Sequence, residues 1–111
     1  MVFKEESIIE RLKKLQETID ELENMREISK EEFIRKRNAQ WIIERGLEVA
    51  SSEILDIGNH ILSSVYSSSP RDYDEIIEQL NLKDIISDEL YDNLKGLGGF
   101  RKILIHGYFR N

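Results

Sequence analysis

"IERGLEVASSEILDIGNHI", residues 43–61, places apolar side chains at Ile43, Leu47, Ala50, Ile54, Ile57 and Ile61. The intervals alternate four and three without a fault, the period of a helix seam packed against other helices. A strand would show period two, and no such alternation occurs in the chain. The stretch therefore sets the class as all-α, with this helix at a core or an interface.

Toward the N-terminus, Ile8, Leu12, Leu15, Ile19, Leu22 and Met25 form a similar stripe and predict a first helix over about residues 6–28. Ser7 and Glu10 have capping-box spacing, and Ser29 and Glu32 repeat it, so a second helix is expected to begin almost at once. Unbroken from Lys30 to about Ser64, that helix would be about 50 Å long, which calls for a bend near Gly46 or Gly58.

Toward the C-terminus, the serines from Ser63 to Ser69 read as a loop. Ser69, Pro70 and Asp72 then supply a cap, a first-position proline and a first-turn acid for a short third helix ending near Leu80. After a turn near Asn81, Ile85 and Ile86 form an apolar connector. Ser87, Asp88 and Glu89 open a last helix, whose apolar face is Leu90, Leu94, Leu97 and Leu104. Gly96, Gly98 and Gly99 lie within its pattern, where each costs up to ~1 kcal/mol relative to alanine, and they imply close backbone packing. "GLGG" does not follow a strand, so it is no phosphate-cradling loop. The expected architecture is an up-and-down four-helix bundle forming a single domain over residues 1–111.

With 111 residues, 40% of them hydrophobic and 34% charged, the chain is of a size for one modest core. It has no cysteine, which excludes disulfides, thiolate metal sites and cysteine nucleophiles, and its two histidines do not make a zinc site. No metal or cofactor is expected. No apolar run approaches the ~20 residues of a membrane span, and "MVFKEES" lacks the basic flank of a signal peptide, so a cytoplasmic protein with no membrane partner is expected. Sixteen basic against twenty-two acidic residues give a formal charge of −6, which opposes any broad coating of nucleic acid. Any RNA contact would have to be local, with Arg35-Lys36-Arg37 and Arg101-Lys102 as the clusters able to supply a positive field, although a short basic run on a helix is more often solvated surface.

The residues suited to chemistry lie in "GGFRKILIHGYFRN", residues 98–111. RNA can be cleaved without metal if a base takes the ribose 2′-OH proton, a cation stabilises the phosphate charge, and an acid protonates the departing 5′ oxygen. Histidine titrates near neutrality and arginine stays charged, so His106 and Arg101 fit these roles. Five positions separate them, which is about 140° around a helix. A shared site needs long side chains, unwinding near Gly107, or a second subunit, and the geometry favours a cleft between two protomers.

Spacing alone also admits blander roles: His106 as a capping or packing residue, Arg101 paired with an acid such as Asp92, and Tyr108 as an anchor for the chain end. Asn59 and His60, flanked by Ile57 and Ile61, read as a buried hydrogen-bonding pair or as groups that orient the site. Trp41, Tyr66, Tyr73 and Tyr91 are of a type that stacks on bases, but nothing in the sequence distinguishes them from ordinary packing aromatics.

Three blocks narrow these readings: "LDIGNHI" at 55–61, "SPRDYDEIIEQL" at 69–80 and "LKGLGGFRKILIHGY" at 94–108. In order and spacing they resemble the HepT-like proteins of the HEPN superfamily, over about residues 35–108. The last block resembles the family signature of an arginine, a polar residue, three further residues, a histidine, any residue and a tyrosine. The resemblance implies a HEPN-like helical bundle that dimerises and a toxin that cleaves RNA without metal. It assigns phosphate recognition or transition-state stabilisation to Arg101 and acid/base catalysis to His106; Lys102, Asn59 and His60 are candidates for site support, with a structural role the favoured reading for Asn59 and His60. Tyr108 corresponds to the tyrosine that receives AMP from the cognate nucleotidyltransferase antitoxin, MntA.

The chain departs from the family pattern at two points. Lys102 stands where an asparagine or another small polar residue is usual, and lysine cannot accept a hydrogen bond as asparagine can. The family's last C-terminal helix is expected to be lacking. An inactive HEPN module that only binds a nucleotidyltransferase, and a purely structural dimerisation bundle, are the competing readings.

Overall fold

The structure, a computed structural model, describes residues 5–106, with side chains described for residues 6–103. These residues form six helices and no strand: α1 (Glu5–Asn24), α2 (Lys30–Arg35), α3 (Arg37–Val65), α4 (Tyr73–Leu82), α5 (Asp88–Leu94) and α6 (Leu97–His106). The four expected rods are present, the second and fourth each broken in two. At about 1.5 Å per residue, α3 is about 43 Å long and spans most of the molecule's 47 Å length. Helices α1, α2, α4 and α6 all pack on it.

The second rod breaks at Lys36, not at Gly46 or Gly58. Lys36 is extended at φ −95° and ψ 99°, and the side-chain nitrogen of Gln40 donates to the carbonyls of Phe33 (2.7 Å) and Ile34 (2.8 Å). Gln40 thereby satisfies acceptors that the end of α2 would otherwise leave open. The two glycines instead permit close helix contacts: a Cβ on Gly46 would lie 2.7 Å from Leu22 Cδ2, and one on Gly58 2.8 Å from Leu80 Cδ1.

Ser29 caps α2, its hydroxyl accepting from Glu32 N–H at 3.1 Å, and Ser87 caps α5 through Leu90 N–H at 3.1 Å. Two other expected starts differ. The chain is already helical at Glu5, so Ser7 lies within α1 and does not cap it, and α1 ends at Asn24, four residues short of Ile28. Helix α4 is capped by Asp72, not Ser69: the Asp72 carboxylate accepts from Glu75 N–H at 2.9 Å, with Asp74 and Glu75 adding negative charge to the first turn.

The core centres on Leu55, Leu62 and Ile77, each no more than 1% exposed, together with Ile76 and Leu80. Ile85, Ile86, Tyr91, Leu94 and Leu97 close over it. Leu55 and Leu62 stand one position beyond Ile54 and Ile61 of the sequence seam, because α3 is central and buries a second face against α4. Leu62→Ala is expected to cost about 2–5 kcal/mol, the range for emptying a packed leucine site, and urea denaturation measures it.

The last rod breaks at Lys95-Gly96. Lys95 is extended, and Gly96 has φ +92°, a left-handed conformation that glycine alone adopts without strain. Its carbonyl accepts from Phe100 N–H at 3.0 Å, which starts α6 in a new direction. That new direction carries Arg101 against α3 and α4.

Candidate functional site

The site is assembled around Gly98. A Cβ there would lie 2.6 Å from the Cβ of Tyr73, so only glycine lets α6 approach the first residue of α4 this closely. One turn later, Arg101 reaches two neighbours. Its Nε donates to the Ser52 hydroxyl on α3 at 2.8 Å, and its Nη1 donates to the Tyr73 hydroxyl at 3.3 Å. The guanidinium carbon also lies 5.2 Å from the centre of the Tyr73 ring, within cation–π range.

Both hydrogen-bond partners are neutral. Among the described residues no carboxylate pairs with Arg101, and Asp92 pairs instead with Lys95 at 3.6 Å. The half-buried guanidinium therefore has no described counter-charge beside it, is fixed along one edge, and retains N–H donors for an anion. A phosphate is the natural fit to such a fork.

Lys102 is exposed and lines an open depression of about 490 Å³ with Arg71, Asp72, Tyr73, Asp74, Gly98 and Gly99. Arg71 at its rim is engaged: its Nε donates to Glu75 at 3.0 Å, and this hydrogen bond, together with the charges of Glu75 and Asp72, raises its pKa above the usual value. Lys102 is in no described ion pair.

His106 is the last residue of α6, five positions after Arg101 and one turn after Lys102 on a regular helix. Its side chain and all of Tyr108 lie outside the described residues, as do Gly107 and any further C-terminal helix. Asn59 is exposed and His60 half-buried on α3, two turns beyond Ser52, and both carbonyls accept from the Ser63 hydroxyl, at 2.8 and 3.4 Å. No described contact joins either of them to Arg101.

Ser52 and Tyr73 are the positions that sequence reasoning missed. They lie 49 and 28 residues from Arg101 and share no motif with it. Tyr73 does fall inside the block "SPRDYDEIIEQL". Ser52→Ala and Tyr73→Phe are each expected to lower any activity that depends on Arg101 about 5- to 10-fold, the worth of one hydrogen bond that holds its side chain in place. Single-turnover rates measure this, and wild-type rates in both variants would exclude a positioning role.

A family described as "Ribonuclease HepT-like" matches residues 8–110. The chain belongs to the HepT-like ribonuclease family. The match extends well beyond the three sequence blocks, to include α1 and α2. Among HepT-like relatives, a protein named tRNA nuclease HepT from Aphanizomenon flos-aquae is 30% identical over 98 residues, covering 88% of this chain and 67% of the relative. The fold matches that of YutE, a cytosolic protein of unknown function from Bacillus subtilis, with a TM-score of 0.79 at 22% identity. That match covers 100% of this chain and 74% of YutE. Among the described residues no helix is long and apolar enough to cross a membrane.

Proposed function

We propose that this HepT-like chain is a metal-independent endoribonuclease, the toxin of a toxin–antitoxin pair. The observation that carries the proposal is Arg101: a charged guanidinium held only by neutral hydroxyls, five residues before His106 on one helix. In the proposed reaction the ribose 2′ oxygen attacks phosphorus as its proton passes to a histidine acting as base. The P–O5′ bond breaks, a histidine acting as acid protonates the 5′ oxygen, and the products are a 2′,3′-cyclic phosphate and a 5′-hydroxyl. Arg101 stabilises the charge that builds on the non-bridging phosphate oxygens. The substrate is RNA, with tRNA the class suggested by the relative's name.

The angular mismatch of Arg101 and His106 favours a homodimer that combines Arg101 of one protomer with His106 of the other. Apolar side chains left exposed on α1, Ile9 (45%) and Leu12 (47%), supply surface for such an association. Neutralisation would come from an MntA-like nucleotidyltransferase that adds AMP to Tyr108. A bulky anion two residues from His106 would fill the cleft and repel RNA phosphate. The protein would act in the cytoplasm, where its RNA substrate and antitoxin reside.

The test is incubation of the full chain with tRNA in excess chelator. Cleavage to 2′,3′-cyclic phosphate ends is the expected result. No cleavage in chelator or in added divalent metal would leave the non-catalytic binding module, which Lys102 permits. Co-expression with the nucleotidyltransferase should add one AMP mass at Tyr108, and an unmodified Tyr108 would exclude that mode of control.

A further inference from the structure

We propose that Trp41 is a base-stacking anchor for the single-stranded RNA whose phosphate is held at Arg101. The proposal rests on the ribonuclease reading and extends it to a second contact. Trp41 is 62% exposed at the start of α3, an unusual position for the largest apolar side chain. Ser52, which holds Arg101, lies eleven positions further along the same helix. That is about 16 Å of rise and about 20° of rotation, so Trp41 and the Arg101 site share one face of α3. Extended single-stranded RNA covers such a span with a few nucleotides.

The surroundings of Trp41 suit this ligand. Residues 33–43 contain Arg35, Lys36 and Arg37 and no acid, in a chain whose net charge is −6. Lys36 pairs with Glu32 at 3.3 Å, whereas Arg35 and Arg37 are exposed and in no described ion pair. They remain available to backbone phosphates on either side of a stacked base. Arg37, Gln40, Trp41 and Glu44 line a shallow depression of about 140 Å³. The Gln40 amide nitrogen is tied to the Phe33 and Ile34 carbonyls, which fixes the elbow of α2 and α3 beside the indole. Glu44 at the rim would repel a phosphate but can accept a hydrogen bond from a base amine. A base over the indole places its flanking phosphates toward Arg35 and Arg37.

Trp41 is the only tryptophan of the chain, so its fluorescence reports the contact directly. The full chain is titrated with a single-stranded RNA of about ten nucleotides, within the usual span of such sites and made uncleavable by 2′-O-methyl groups. Binding should quench the emission. Trp41→Ala should weaken binding about ten-fold or more, and Trp41→Phe, which keeps a ring, should retain most of it. Cleavage of a dinucleotide, too short to reach Trp41, should be unchanged in Trp41→Ala. If RNA is bound and cut without quenching and Trp41→Ala behaves as wild type, the anchor is overturned and the ribonuclease reading stands. If the chain neither binds nor cuts RNA, both fail together. If Trp41→Ala turns a dimer into a monomer in sedimentation, the indole packs on a second copy and the anchor is overturned.

Discussion

Arg101→Ala is expected to slow RNA cleavage by about 10²- to 10³-fold, the usual consequence of removing one group that stabilises developing charge. The reasoning starts from what the guanidinium touches. Ser52 and Tyr73 take up donors along one edge and set its direction without neutralising it. Lysine cannot substitute, because an ammonium carries no planar fork and cannot bond to Ser52 through Nε while presenting parallel donors to phosphate. Arg101→Lys should therefore recover little of the loss. The accompanying effect on stability should be small, since two hydrogen bonds to neutral groups and one cation–π contact are exchanged for water. His106→Ala should cost a comparable factor by removing acid/base catalysis. Single-turnover rates in chelator, with circular dichroism to show an intact fold, measure both. A wild-type rate in Arg101→Ala would remove the arginine from the mechanism.

The fold class, the central helix and two of the caps were legible because they depend on local signals. An apolar period of 3.5 to 3.6 residues identified α3, and a serine followed by an acidic first turn located the starts of α2 and α5. What escaped depends on contacts distant in sequence. Nothing near Lys36 resembles a helix breaker, since the break is secured by Gln40 reaching back to Phe33 and Ile34. The burial of Leu55 and Leu62 does not show in a single apolar stripe, because α3 packs on several sides. Pro70 suggested too early a start for α4, and Asp72 proved the stronger cap because its carboxylate accepts directly from Glu75 N–H. In the site, Arg101 was found from its motif, whereas Ser52 and Tyr73 became visible only when the bundle brought α3, α4 and α6 together.

Gly98→Ala should expose that dependence most sharply. The added methyl would sit 2.6 Å from Tyr73 Cβ and 3.4 Å from its Cγ, atoms that cannot swing aside as the tip of a long side chain can. Helix α6 or the start of α4 must therefore shift. Overpacking of this kind costs about 1–3 kcal/mol, offset in part by the ~1 kcal/mol that alanine gains over glycine within a helix. The net loss of stability is modest. The loss of activity should be larger, because Arg101 lies one turn away on the same helix and loses its register with Tyr73 and Ser52. A displacement of about 1 Å at a positioned group can cost roughly 10²-fold in rate. Gly99→Ala separates the two effects: nothing lies within 4 Å of its added Cβ, so helix propensity alone should act and raise the melting temperature. If Gly98→Ala melts and cleaves as wild type while Gly99→Ala is the damaging change, the contact between α6 and Tyr73 does not set the site. The reverse pattern ties the placement of Arg101 to the point on α6 where a Cβ at Gly98 has no room.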